Sequence, residues 1–267
     1  MSIYCEASIN HVDGLSIASV PTAIQDGRHE VLSWMEQGFE LRPMPSAVTR
    51  WDDPTDIVAT HHPEIVDVVT AEVGCDAVLF YPAIVRDPTA AARSGDLAPI
   101  EAAHSDYTED YRSMLVTADH PYLDILAPSM AAAGVTPADL AAAKRILTLQ
   151  FWRNIGPPRP DRPLAFCDAT TVARDELTPH LVESYGGVQT SFHSFLLNPP
   201  SDGRGRRWFT FPAMEPDEVV LFRAFDSERA EAGEPFWTPH TAFVDPVAGP
   251  GAPPRESVEI RAICLFD

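Results

Sequence analysis

Two histidines and one aspartate in this sequence are of the types that bind iron outside haem. His104 and Asp106 are two positions apart, and His240 lies far along the chain. Residues i and i+2 of a strand point to the same side, so His104 and Asp106 can reach one metal ion if the chain around them is extended. Two imidazoles and one carboxylate leave coordination positions open for a co-substrate and dioxygen. Because the set contains no thiolate, it suits Fe(II) better than structural zinc.

A cation and a hydroxyl follow the second histidine, at the start of the last predicted strand. Arg255 and Ser257 share one face of that strand, after the Pro/Gly-rich segment 246–254. A guanidinium binds a carboxylate with two parallel hydrogen bonds, and a hydroxyl adds a third. We therefore expect Arg255 and Ser257 to hold the distal carboxylate of 2-oxoglutarate. Arg261 lies on the same face by parity, where it binds an anionic substrate group or pairs with a buried acid such as Glu259.

The overall charge limits the partners of this protein. The formal net charge is −20, which opposes binding to nucleic acid and to anionic membrane surfaces. No apolar run is long enough for a membrane helix, and the N-terminus has no features of a signal peptide. The four cysteines form no Cys-x-x-Cys pair, so they indicate neither a zinc knuckle nor a redox motif. We expect a cytoplasmic protein that acts on a small-molecule substrate, and the sequence leaves a homo-oligomer open.

Short strands, separated by residues that interrupt regular secondary structure, must position the candidate metal and co-substrate ligands. The chain has 267 residues, 26 of them proline, and no segment that is typical of an interdomain linker. We predict a single domain, 1–267, in which a mixed α/β part (1–100) packs on a jelly-roll core (101–267). The fold class is mainly β with flanking helices, a cupin-like double-stranded β-helix. Strands are predicted over 77–81, 189–197, 207–211, 218–225, 240–244 and 256–266.

Helix signals are fewer and lie between residues 62 and 147, before most of the strand signals. His62-Pro63 begins one predicted helix, which Gly74 ends. Thr136, Pro137 and Asp139 form a helix start, which we expect to continue through Leu147. A weaker helical pattern covers 119–133. These helices are expected to cover one face of the sheets.

Several motifs together resemble a known family of enzymes. The chain is similar to the hydroxylase/desaturase family of non-haem iron 2-oxoglutarate oxygenases, which includes a bacterial cephamycin methoxylation component and fungal gibberellin desaturase-like enzymes. The similarity covers nearly the whole chain, and segments 239–243 and 255–261 are its most specific parts. It further rests on segments 26–28, 38–41, 104–108, 151–153, 163–168, 207–209, 217–222 and 225–227.

The resemblance implies Fe(II), 2-oxoglutarate and dioxygen as cofactor and co-substrates on a double-stranded β-helix. It implies that His104, Asp106 and His240 bind iron and that Arg255 anchors 2-oxoglutarate. The implied reaction is hydroxylation or desaturation of a small molecule, consistent with secondary metabolism. The sequence departs from the family pattern at Gln150, Asn154 and Arg206, where we expect substrate differences to be found.

The substrate pocket is less well defined by the sequence than the metal site. Tyr107, Trp152 and Arg153 are candidate wall residues, and Arg153 is favoured because a buried guanidinium needs a partner. Tyr107 and Trp152 fit the core equally well. Two alternative functions use the same residues. One is a hydrolase or isomerase of cupin type that uses zinc or manganese, and the other is a non-catalytic binding partner that retains the fold.

Overall fold

Two β-sheets dominate the computed structural model, which describes residues 2–117, 120–201 and 205–267. One sheet has eight strands in the order β1-β2-β11-β8-β13-β6-β10-β9. The other has six, in the order β3-β12-β7-β14-β4, with β5 paired to the free part of β14. The strands are β1 Ile3–Asp13, β2 Ser16–Asp26, β3 Phe39–Pro43, β4 Ala77–Phe80, β5 Ile84–Arg86, β6 His104–Ser105, β7 Arg145–Asn154, β8 Leu164–Cys167, β9 Leu177–Tyr185, β10 Val188–Leu197, β11 Trp208–Thr210, β12 Glu218–Asp226, β13 His240–Ala242 and β14 Ser257–Phe266.

Short helices connect and cover the strands. A π-helical turn, Ile57–His61, joins α1 to α2. Among the described residues, no helix is long and apolar enough to cross a membrane. The α-helices are α1 Pro54–Asp56, α2 His62–Val73, α3 Pro88–Arg93, α4 Tyr111–Val116, α5 Pro121–Ala133, α6 Pro137–Ala142 and α7 Ser227–Glu231.

The six-stranded sheet has an apolar outer face, and the centre of its inner face is polar. On its outer face, α2 packs Ile65 and Val69 against apolar residues of β7 and β14. Strand alternation turns the odd residues of β14, including Glu259 and Arg261, to the other side. Glu259 pairs across the ladder with Trp152, and Arg261 pairs with Gln150. The centre of this sheet therefore presents charged and amide side chains to the interior of the molecule.

The eight-stranded sheet brings the two halves of the predicted metal site together. β13 lies between β8 and β6, and His240 is the residue directly opposite His104. A hydrogen bond of 3.1 Å from the backbone N–H of Thr238 to Ser105 Oγ also joins the two segments. Cross-strand neighbours have adjacent side chains, so the sheet itself fixes the separation of the two imidazoles.

The jelly-roll fold class is confirmed, and most predicted elements lie where they were expected. α2 begins at His62 and ends at the left-handed Gly74. The predicted helix over 119–133 is observed as α5, although Asp119 lies outside the described residues. The helix that begins after Thr136 was predicted too long. It ends at Ala142, and Leu147 belongs to β7, because a run buried on both faces forms a central strand here.

The N-terminal part is more integrated than expected. Residues 1–100 supply β1 and β2 to the larger sheet and β3, β4 and β5 to the smaller one. β2 pairs in parallel with β11, a strand from the second half of the chain. These residues therefore extend both sheets and do not form a separate layer on the core.

Candidate metal and co-substrate site

The two imidazoles and the carboxylate lie close enough together to hold one metal ion. One ligand atom from each of His104, Asp106 and His240 lies within 4.8 Å of the others. His104 Nδ1 donates to the carbonyl of Ala102 at 2.8 Å, and His240 Nδ1 donates to that of Thr238 at 2.9 Å. These bonds fix the tautomer, so each Nε2 keeps a lone pair for a metal.

The protonation states of the cluster suit metal binding. Burial, followed by the nearby His240, lowers the pKa of His104 to about 4, so its imidazole is neutral at pH 7. Burial alone raises the pKa of Asp106, but Arg261 and the two imidazoles outweigh that effect and bring the pKa below its usual range. Neutral imidazole and ionised carboxylate are the states that bind metals. Asp106 Oδ2 is buried and has no hydrogen-bond partner among the described residues, as expected of an oxygen that has a metal to bind.

Arg255 is a buried cation that pairs with no carboxylate in the part of the chain that the structure describes. Its side chain is 3% exposed, and within the described ranges no ion pair involves it. Its one side-chain hydrogen bond there is a long one of 3.4 Å from Nη1 to the carbonyl of Arg162. Burial, and then repulsion from Arg86, lowers its pKa to about 10. Ser257 Oγ, on the same strand face, is also buried without a partner in the described structure. A buried guanidinium and hydroxyl in this state fit an anionic guest.

The other charged groups beside the candidate metal cluster pair with one another. Arg261 Nη2 lies 3.4 Å from Asp106 Oδ1 and 3.6 Å from Glu259 Oε1. Arg86 Nη2 lies 3.3 Å from the same Glu259 oxygen, and Gln150 Nε2 donates to Oε2 at 2.9 Å. The set formed by Asp106, Arg261, Glu259 and Arg86 is called the charge chain below. It contains two cations and two anions.

A cavity of about 800 Å³ opens beside the cluster. His104, Asp106, His240 and Arg255 all line it, so the candidate metal ligands and the Arg255 guanidinium share one space. The remaining wall is mostly apolar and comes from both sheets, from α5 and from the segment around Leu97. Sites of this kind, concave and apolar with a few convergent polar groups, are typical of small-molecule binding.

The structure brings most of the predicted site residues to this cavity. Tyr107, Trp152 and Arg261 line it. Ser257 is not among the residues that line it, and neither is Arg153, because strand alternation places Arg153 on the opposite face of β7 from Trp152. There its guanidinium donates to the carbonyls of Pro216 and Met44, so the buried cation is satisfied by backbone oxygens rather than by a substrate.

The three positions that depart from the family pattern have different surroundings. Gln150 is near the site through its bond to Glu259. Asn154 donates to the carbonyls of Gly156 and Pro157 and shapes a loop. Arg206 pairs with Glu176 at 3.0 Å, away from the cavity. Of these departures, only Gln150 contacts the charge chain.

Two residues of the site carried no signal in the sequence. Arg86 lies on the three-residue strand β5, and its guanidinium is held by the carbonyls of Asp96 and Ala98 as well as by Glu259. Phe192 projects from β10 into the cavity. Both occur in segments with no recognisable motif, and the pairing of distant strands places them here.

The fold and the site together define a jelly-roll protein with two histidines and one carboxylate that could hold a metal ion. Residues 5–265 match the family described as oxidoreductase/YMDC permease-like domain, and the chain belongs to that family. Solved structures titled iron and alpha-ketoglutarate-dependent endoperoxidase NvfI share the fold. The one with a TM-score of 0.76 is 20% identical and is matched over 100% of this chain and 99% of its own.

Curated relatives carry names of the same class. Hydroxylase/desaturase asaB of Aspergillus flavus is 32% identical over 45% of this chain and 55% of its own length. Fe(II)/2-oxoglutarate-dependent dioxygenase nvfI of Aspergillus novofumigatus is 30% identical over 45% and 40%. Alpha-ketoglutarate-dependent dioxygenase phiK, from a fungal species, is 24% identical over 91% and 83%. The chain thus spans about half the length of the first two relatives.

Proposed function

We propose that this protein is an Fe(II)- and 2-oxoglutarate-dependent oxygenase that hydroxylates or desaturates a small molecule of secondary metabolism. One observation carries the proposal: the His104–Asp106–His240 cluster shares a cavity with Arg255, a buried guanidinium that pairs with no carboxylate of the described residues. A hydrolase or isomerase of cupin type has no need of such a cation beside its metal. The names of the relatives support the same class of enzyme, the Fe(II)- and 2-oxoglutarate-dependent oxygenases.

The side chains divide the work between metal, co-substrate and substrate. His104 and His240 bind the metal through Nε2, and Asp106 binds it through a carboxylate oxygen. Arg255 and Ser257 hold the distal carboxylate of 2-oxoglutarate and so fix the direction from which its other end approaches the metal. When bound, iron, 2-oxoglutarate and dioxygen supply the oxidation of an unactivated C–H bond. The apolar walls exclude water from the reacting groups.

The protein is expected to work in the cytoplasm on a diffusible substrate. Its net charge of −20 supports the absence of nucleic-acid and membrane partners. Its assembly into a homo-oligomer is open to measurement by light scattering.

Release of succinate tests the activity without knowledge of the substrate. The purified protein with Fe(II), ascorbate and 2-oxoglutarate should release succinate slowly in the absence of substrate. An Asp106→Ala variant should release none above the background of free iron. Equal succinate release by the two proteins would contradict the proposal, as would the absence of release by the unsubstituted protein across a range of small-molecule extracts.

A further inference from the structure

The charged side chains on the cavity wall leave little for a charged substrate to bind. Asp106, Arg261, Glu259 and Arg86 are paired with one another in the charge chain, at distances of 3.3–3.6 Å. Arg86 also donates to two backbone carbonyls and to Tyr185 Oη. Under the proposed function, Arg255 is occupied by 2-oxoglutarate. Two atoms of the charge chain are buried without a hydrogen-bond partner in the described structure, Asp106 Oδ2, which is assigned to the metal, and Arg261 Nε. Because the two cations and two anions of the chain balance, an ion that entered the cavity would lose its hydration and gain no unpaired counter-charge.

The charges at the mouth of the cavity differ from those inside. Asp52, Arg93 and His180 line the opening and are exposed to water. Solvent and salt screen exposed charges, so this rim can slow or speed the approach of an ion but cannot offset the cost of burying one.

An aromatic wall faces the space beside the metal cluster. The Phe192 ring lies 5.9 Å from that of Tyr107 and 5.5 Å from that of Tyr122, measured between centroids. Tyr122 in turn packs edge-on against Tyr81 at 5.0 Å. All four rings line the cavity, and Phe192 is the half-buried one. Phe192 follows a β-bulge, where Ser191 adopts a left-handed backbone with φ of 52°. Bulges re-aim side chains next to binding sites.

We propose that the substrate is a neutral, largely apolar molecule with a ring system, and that Phe192 is a residue that selects it. The proposal rests on the proposed function only in assigning Arg255 to 2-oxoglutarate. The cavity of about 800 Å³ accommodates a molecule larger than a single ring. An apolar ring buried against Phe192 gains by burial of surface and by ring–ring contact, neither of which requires charge.

Three probes that share a naphthalene ring test the charge preference. These are 2-methoxynaphthalene, which is neutral, 2-naphthoate and 2-naphthylmethylammonium. Equilibrium dialysis would measure their affinities for the Zn(II)-loaded protein with saturating 2-oxoglutarate. We expect the neutral ether to bind at least about tenfold more tightly than either ion. Binding of the naphthoate or of the ammonium as tight as that of the ether would overturn the inference, and so would the absence of binding by the ether.

Substitution of Phe192 tests its role separately from the charge preference. Phe192→Ala should weaken binding of the ether by about tenfold, and Phe192→Leu by less, because leucine keeps part of the apolar contact. The matched control is Leu181→Ala on the neighbouring strand, which is 46% exposed and does not line the cavity. It should leave the affinity unchanged. Equal affinities for Phe192→Ala and Leu181→Ala would remove Phe192 from the site. Thermal unfolding of each variant shows whether it is folded.

The inference and the proposed activity can fail independently. A preference for the neutral probe without any succinate release would keep the substrate class and reject the oxygenase. Succinate release with tight binding of 2-naphthoate would keep the oxygenase and reject the neutral substrate.

Discussion

Glu259 is the residue whose replacement should disturb the site most without removing a metal ligand. It is 7% exposed and is the carboxylate shared by Arg86 and Arg261. Glu259→Gln keeps the size and shape of the side chain but removes its charge. Two buried guanidinium groups then lose a counter-charge, while Gln150 loses a charged acceptor.

The expected loss of stability is large for a substitution that removes a single charge. Removal of one partner from a buried ion pair costs about 3–5 kcal/mol, because an uncompensated charge remains in a poorly solvated place. At roughly 2–4 °C per kcal/mol for a chain of this size, the melting temperature should fall by about 6–20 °C. Urea unfolding measured by circular dichroism gives the free energy directly.

An exposed pair of the same chemistry provides the control. Glu101 lies 2.6 Å from Arg162, but both side chains are more than a third exposed. Glu101→Gln should therefore cost less than about 1 kcal/mol. If Glu259→Gln were no more destabilising than Glu101→Gln, the charge chain would not be the tightly coupled unit described above.

The same variant should also change metal binding. Without Glu259, Arg261 is free to approach Asp106 more closely and compete for its carboxylate. Loss of a group that orients a metal ligand typically costs 10–100-fold in affinity. Titration with Co(II), followed by its visible absorption, should show a loss of about this size for Glu259→Gln and none for Glu101→Gln.

Three further predictions test separate parts of the account. Arg255→Ala should raise the 2-oxoglutarate concentration needed for half-maximal succinate release by at least about tenfold, while Co(II) affinity changes little; loss of Co(II) binding instead would make Arg255 a structural residue. His62 stacks on Phe80 at 3.9 Å, and burial, then repulsion from His61, lowers its pKa to about 4. The stability that neutral His62 contributes is present above pH 6.5 and is lost as the pH falls toward 4. His62→Phe should therefore reduce the pH dependence of the unfolding free energy in this range by up to about 1.4 kcal/mol per pH unit. An unchanged pH dependence of the unfolding free energy would contradict this. Gly38 has φ of 99°, and an added Cβ would lie 2.4 Å from Thr238 Oγ1, so Gly38→Ala should lower stability by more than about 1 kcal/mol in urea unfolding; a neutral result would show that the segment before His240 can shift.

The elements that the sequence predicted best are those with local signals. α2 has a proline at its start and a glycine at its end, and β14 follows a Pro/Gly-rich segment. β7 was missed although residues 147–151 alternate between apolar and polar, because the helix that begins after Thr136 was expected to continue through Leu147. The hairpin of β1 and β2 was also missed, although Gly14, with φ of 58°, forms its turn.

The site was predictable to the extent that its residue types were distinctive. The types and the spacing of His104, Asp106 and His240 predicted a metal site, and parity predicted that Arg255 and Arg261 share one face; both line the cavity. The partners of these residues depended on strand order. Arg86 lies in the charge chain because β5 pairs with β14. Arg153 lies outside the cavity because it faces the other side of β7. Neither placement can be read from a local pattern.

The central claim is that iron and 2-oxoglutarate bind together at this one cluster. The most direct measurement is the visible absorption that arises when 2-oxoglutarate chelates Fe(II), recorded without oxygen. We predict a band that saturates at one Fe(II) and one 2-oxoglutarate per chain. It should be absent in Asp106→Ala at any concentration and should be recovered in Arg255→Ala only at higher 2-oxoglutarate. A protein that binds Fe(II) but shows no such band with 2-oxoglutarate, or an unchanged band in Asp106→Ala, would contradict the account.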